Sequence, residues 1–156
     1  EDRRAIERRL GGFGIAASRL AFIPYRRGDE AYNRARYALI DVALDTMPYT
    51  GGDTTAAALD GGVPVVTRVG GRHAERMGYS ILMHLGLTQS IAQTDDGYID
   101  LAVRLAQDRE FSHEMRAAVA NAMRNPAVTD PVRYVRALEA AYDFALEAGG
   151  APGAAG

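Results

Sequence analysis

The run Val63-Pro64-Val65-Val66-Thr67 carries no charged side chain and follows a Gly61-Gly62 break. A strand with one wet face alternates polar and apolar residues, whereas an unbroken apolar run of this length fits a strand covered on both faces. It is one of a series. Leu20 to Pro24 and Asp41 to Leu44 precede it as buried-strand candidates, and Ser90 to Ala92 follows as a very short one. Helical stretches lie between them. Arg3 to Leu10 ends at Gly11-Gly12, and Glu30 to Leu39 places Tyr32, Ala35 and Leu39 on one face. Thr54 to Leu59 and Arg72 to Leu85 are the next two, the latter closed by Gly86. Asp95 to Gln107, Glu110 to Arg124 and Pro131 to Ala148 complete the chain, the last opened by Thr129-Asp130-Pro131. Strand and helix alternating over residues 20 to 92 predict an α/β fold, a Rossmann-like parallel sheet with right-handed crossovers. The C-terminal helices are expected to pack on that sheet, with Leu101, Leu105, Met115, Val119 and Met123 as core.

Length and composition set the remaining bounds. The 156 residues suit one domain, taken as 1–148, and the Gly, Ala and Pro tail 149–156 is expected to be disordered. A first residue other than Met, inside a helical stretch, predicts a piece of a longer protein. A net charge of −2 gives no footprint for nucleic acid or an anionic membrane. No apolar run approaches the roughly 20 residues of a membrane span. The N-terminus lacks the apolar core of a signal peptide, so the cytoplasm is the expected compartment. Cysteine is absent, and His73, His84 and His113 are scattered without i, i+4 pairing, so no metal site is expected.

The chemistry concentrates in Tyr49-Thr50-Gly51-Gly52-Asp53-Thr54-Thr55, between a strand and a helix. Ligands of open parallel sheets bind beyond the carboxyl ends of the strands. Gly51 and Gly52 can take positive φ and bring backbone close to a ligand. Thr54 and Thr55 add hydroxyls and free N–H groups at a helix start, which favours an anion. No Walker lysine follows and the spacing is not GxGxxG. From spacing alone, a plain strand-to-helix turn with a Thr or Asp cap stands beside the anion reading. Asp53 opposes a diphosphate by like charge. Asp45, ending its strand, is placed to hold the loop in shape rather than to act as a base. His73 near Arg72 and Arg76, and the Arg26-Arg27 pair, are further candidates for an anionic ligand, each against a solvated surface reading.

The ordered blocks Asp41-Val-Ala-Leu-Asp-Thr46, Pro48-Tyr49, Gly51-Gly52, Thr54-Thr55 and Gly62-Val-Pro-Val-Val-Thr67 resemble the O-GlcNAc transferase (SPINDLY-like) family. The resemblance continues through Leu85-Gly86-Leu87, Tyr98, Ala102 to Ala106 and Tyr134 to Glu139, and so covers about Leu20 to Tyr142. Adhesin N-glucosyltransferases share the layout more distantly. The resemblance implies the C-terminal, donor-binding half of a GT-B glycosyltransferase. It implies transfer of GlcNAc or another hexose from a UDP donor to Ser or Thr of a protein, without a metal or other cofactor. It assigns the UDP diphosphate to Gly51, Gly52, Asp53, Thr54 and Thr55. Backbone around Tyr25 and Arg26 is expected to meet the uracil, with Asn33 or Tyr32 where the family carries a histidine and Arg36 at a basic position. No catalytic residue is expected in this stretch.

The chain also departs from the family pattern. Ala57 stands where an aspartate binds the ribose, Asp60 where a tryptophan is usual, and Asp53 intrudes before the Thr pair. The family's diphosphate lysine, its acceptor-side half and its tetratricopeptide superhelix are expected outside this stretch, which alone should be inactive. The alternatives are an N-glucosyltransferase, or a non-catalytic, degenerate UDP-binding or scaffolding module.

Overall fold

A computed structural model describes residues 2–125 and 130–149. The chain forms two compact units, one reaching Leu39 and one beginning at Ile40. The first holds α1 (Arg3–Gly11), α2 (Glu30–Ala35) and a 3-10 turn at Arg36–Leu39. Asp2 caps α1 by accepting from the Arg4 N–H at 3.1 Å. Residues 20 to 24, expected as a strand, belong to no ladder among the described residues. Ala21, Ile23 and Pro24 are exposed there, and Pro24 has no N–H to offer a neighbour. The expected face of the following helix is also corrected. Its buried residues are Asn33 and Tyr37, while Leu39 is 72% exposed. The Asn33 amide, bonded to the Arg26 backbone, outcompeted the apolar stripe.

The second unit holds β1 (Ala43–Leu44), α3 (Asp53–Asp60), β2 (Val65–Arg68), α4 (Met77–His84), β3 (Ile91–Ala92), α5 (Asp95–Gln107), α6 (Arg109–Met123) and α7 (Pro131–Gly149). The three strands are parallel in the order β1-β2-β3, with Ala43 opposite Val65 and Thr67 opposite Ile91. The α/β prediction therefore holds. Successive strand residues face opposite sides, and Val65, Val66 and Thr67 are all buried, so both faces of β2 are covered. Val66, Leu105, Phe111 and Met115 form a core cluster with Val42, Tyr98 and Leu101 against it. Gly62 at φ +75° and Gly86 at φ +72° turn the chain out of α3 and α4, where a side chain would be strained.

Two expectations fail in this unit. The helix predicted over 72–85 is broken at Arg76, because the Glu75 carboxylate folds back onto the Gly71 and Arg72 N–H groups at 3.0 and 3.1 Å. The last helix does not pack on the sheet: no residue of α7 is buried, and Tyr142, Phe144 and Leu146 are among those exposed. Periodicity marks an apolar face without saying what covers it. Asp130 caps this helix through the Val132 N–H at 2.9 Å, whereas Thr129 of the predicted start signal and the tail from 150 lie outside the described residues.

Candidate functional site

β1 ends at Leu44 and delivers Asp45, which is only 5% exposed, to the carboxyl edge of the sheet. One carboxylate oxygen accepts the Gly51 N–H at 2.6 Å and the other accepts the Thr67 hydroxyl at 2.7 Å. The Tyr98 hydroxyl donates to the Asp45 carbonyl at 2.9 Å. Burial first, and the Asp45 charge second, push the Tyr98 phenol above its ordinary pKa. Thr50, fully buried, donates both its N–H and its hydroxyl to the Ala74 carbonyl, and its oxygen accepts the Met77 N–H at 3.1 Å. The loop is thus tied to β2, α4 and α5. The expectation that Asp45 shapes the loop is met.

Gly51 and Gly52 are not at positive φ, which corrects the reason given for them. Gly51 is required for space: a Cβ there would lie 2.5 and 2.7 Å from the Thr54 and Thr55 hydroxyl oxygens. Gly52 precedes α3 and supplies no side-chain cap. Asp53 and Thr54 are exposed in the first turn, whereas Thr55 is buried. The first N–H groups of any helix lack intrahelical partners, and the dipole concentrates partial positive charge there. Ala57 offers no polar group, and Asp60 is exposed at the far end of α3.

The remaining candidates lie in the first unit. Asn33 accepts the Arg26 N–H at 3.0 Å and donates to the Arg26 carbonyl at 2.7 Å. Its amide is therefore engaged in shaping the turn, and the backbone groups of Arg26 are engaged with it. The Arg26 guanidinium covers the Tyr32 ring at 3.7 Å from the centroid. Tyr25 is 61% exposed, with the Arg36 guanidinium 5.9 Å over its ring.

His73, His84 and His113 are exposed. Among the described residues no three His, Cys, Asp or Glu side chains are grouped to hold a metal. A cavity of about 300 Å³ at the sheet's carboxyl edge is lined by Asp45, Thr46, Met47, Arg68, Asp95 and Tyr98. Arg68 pairs with Asp95 at 3.1 Å. At the other end of β1, Arg116 donates to the Ile40 and Asp41 carbonyls and the Asp41 carboxylate. Thr50 and Arg68 were not singled out in the sequence, and Tyr98 only as part of a resembling block. Thr50's hydroxyl beside the glycine pair was the one local signal.

The glycosyl transferase family 41 model matches residues 3–138. The chain is 37% identical over 133 residues to a probable UDP-N-acetylglucosamine–peptide N-acetylglucosaminyltransferase SPINDLY of Hordeum vulgare, covering 85% of this chain and 14% of the relative. The Arabidopsis thaliana protein of the same name is 34% identical over the same shares. A UDP-N-acetylglucosamine–peptide N-acetylglucosaminyltransferase of Caenorhabditis elegans is 32% identical over 81% of this chain and 11% of that protein. Among solved structures, a lysine-to-methionine mutant of the Thermobaculum terrenum O-GlcNAc transferase matches with a TM-score of 0.79 and 37% identity. That match covers 89% of this chain and 26% of the other. The chain thus spans about a seventh of the length of the SPINDLY relatives it matches. With the family model matched over most of its length, and the parallel sheet and Gly-rich loop in their expected places, this chain belongs to glycosyl transferase family 41.

Proposed function

We propose that this chain supplies the donor-diphosphate site of a transferase moving GlcNAc from UDP-GlcNAc to Ser or Thr of a protein. The observation that carries the reading is the tied loop Thr50 to Thr54, leading without a side-chain cap into α3 at the sheet's carboxyl edge. As the glycosidic bond breaks, negative charge gathers on the departing UDP. Fixed N–H donors and the α3 dipole stabilise that charge without a titrating residue. The reading is metal-free and cytoplasmic. Gly52, Asp53 and Thr54 hold the diphosphate by backbone N–H groups and the Thr54 hydroxyl, while Gly51 and Thr55 act from beneath.

Asp53 and Ala57 favour a second reading, a UDP-binding module that has lost turnover. Losing one charge-assisted ribose hydrogen bond at Ala57 costs about 1.5–3 kcal/mol. That is one to roughly two decades of affinity. Incubating the full-length protein with UDP-GlcNAc and acceptor peptides tests both. A GlcNAc mass increment on Ser or Thr is expected, together with a UDP-induced thermal shift that Thr54→Ala weakens. UDP binding without transfer would select the second reading. An increment on Asn would select N-glycosylation, and no binding of UDP at all would sink both donor readings.

A further inference from the structure

We propose that Asp45 is the positioning residue of the donor loop, acting through the Gly51 N–H and leaving the phosphate to the N–H groups that follow. This rests on the donor-site reading above. The carboxylate has no latitude. Its oxygens are divided between the Gly51 N–H at 2.6 Å and the Thr67 hydroxyl at 2.7 Å, and the Tyr98 hydroxyl holds its carbonyl at 2.9 Å. Gly78, in α4, closes the socket: a Cβ there would fall on the Asp45 carboxylate, and 3.0 Å from the Thr67 hydroxyl oxygen. β1, β2, α4 and α5 therefore converge on one buried side chain.

The chemistry separates positioning from plain stability. A buried carboxylate is a costly way to fill space, because its desolvation must be offset by its hydrogen bonds. What it supplies in return is direction. By drawing the Gly51 N–H inward, it sets the orientation of the Thr50–Gly51 peptide at the head of the loop. Thr50, tied to Ala74 and Met77, fixes the other side of that peptide. Gly51 N–H is then no phosphate ligand, and the donors toward the diphosphate begin at Gly52. The two Thr hydroxyls packed on the Gly51 Cα leave no space for the loop to slide.

The full-length protein tests this with UDP-GlcNAc and an acceptor peptide. Asp45→Ala is expected to raise the KM for UDP-GlcNAc and the Kd for UDP about tenfold or more, the worth of a charge-assisted hydrogen bond. The KM for the peptide should stay unchanged. Asp45→Asn keeps an oxygen for Gly51 and turns its amide to Thr67, whose hydroxyl can accept, so the donor KM should stay within about threefold of wild type. Asp45→Glu keeps the charge in a socket with no room for another methylene, and should resemble Asp45→Ala. An Asp45→Ala protein with lowered Tm but unchanged donor KM would overturn the proposal. So would a folded Asp45→Asn protein that loses the donor as Asp45→Ala does, which stands as the test if Asp45→Ala does not fold. A wild type that binds no UDP overturns this and the donor-site reading together, whereas an active wild type with an indifferent Asp45 overturns this alone.

Discussion

Thr50 has no exposed surface and four hydrogen bonds to the chain beyond β2, two as donor to Ala74 and two as acceptor from Met77 and Gly78. Thr50→Val keeps the shape but leaves the Met77 N–H without its partner. A loss of about 1–3 kcal/mol is expected by denaturant titration, with Thr50→Ser retaining most of the stability. Tyr98 makes a second prediction. Its pKa is raised in the folded protein above the ordinary 10.0, so the phenol stays neutral there after it has ionised in the unfolded chain. Its contribution is whole below pH 10.0 and is lost as pH rises from that value through the folded one. The alkaline fall in thermal midpoint should be shallower in Tyr98→Phe. These residues also show what a sequence hides. Asp45 was legible because it ends a strand just before a Gly-rich loop. Thr50 and Tyr98 were not, since their partners lie 24 to 28 and 53 residues away, and only the place of Thr50 beside the glycine pair hinted at either. Asn33 read as a ligand candidate, because a side chain satisfied by its own backbone resembles one free to bind.

α6 starts where Asp108 accepts the Phe111 N–H at 3.0 Å. That bond is the main reason its carboxyl is held below the ordinary 3.8, with Arg104 assisting. A depressed folded value means the contribution is present above pH 3.8 and is lost as pH falls through the folded value. Asp108→Ala is therefore expected to lower the thermal midpoint at neutral pH and to flatten the acid-side decline. Melts across the acid range check it, and Asp108→Asn should retain part of the cap at neutral pH. The sequence places α5 and α6 to within a residue or so, α5 by the acidic residues of its first turn, where the helix dipole favours them. Thr94 and Asp108 are written at their starts, and Gly62 and Gly86 just past the ends of α3 and α4. Strands carry no such punctuation. β1 and β3 are two residues each because a ladder extends only as far as its neighbour, and residues 20 to 24 failed for want of one.

At the scale of the molecule, the order of the blocks carried the family, while the place of the last helix escaped the sequence. α7 buries no residue, so deleting 131–149 should move the midpoint of the second unit by no more than about 2 °C, with its circular dichroism losing helix in proportion. A larger fall would mean that α7 shields the core in solution. β2 has the opposite character, lying between two parallel partners with both faces covered. Amide protons in such a place reach solvent only when the whole unit opens. In a deuterium-exchange time course, Val65 to Arg68 should be the last amides to take up label, and those of α7 among the first. Because Asp45 bonds the Thr67 hydroxyl on that segment, the Thr50 to Thr54 loop is anchored to the part of the second unit expected to open last.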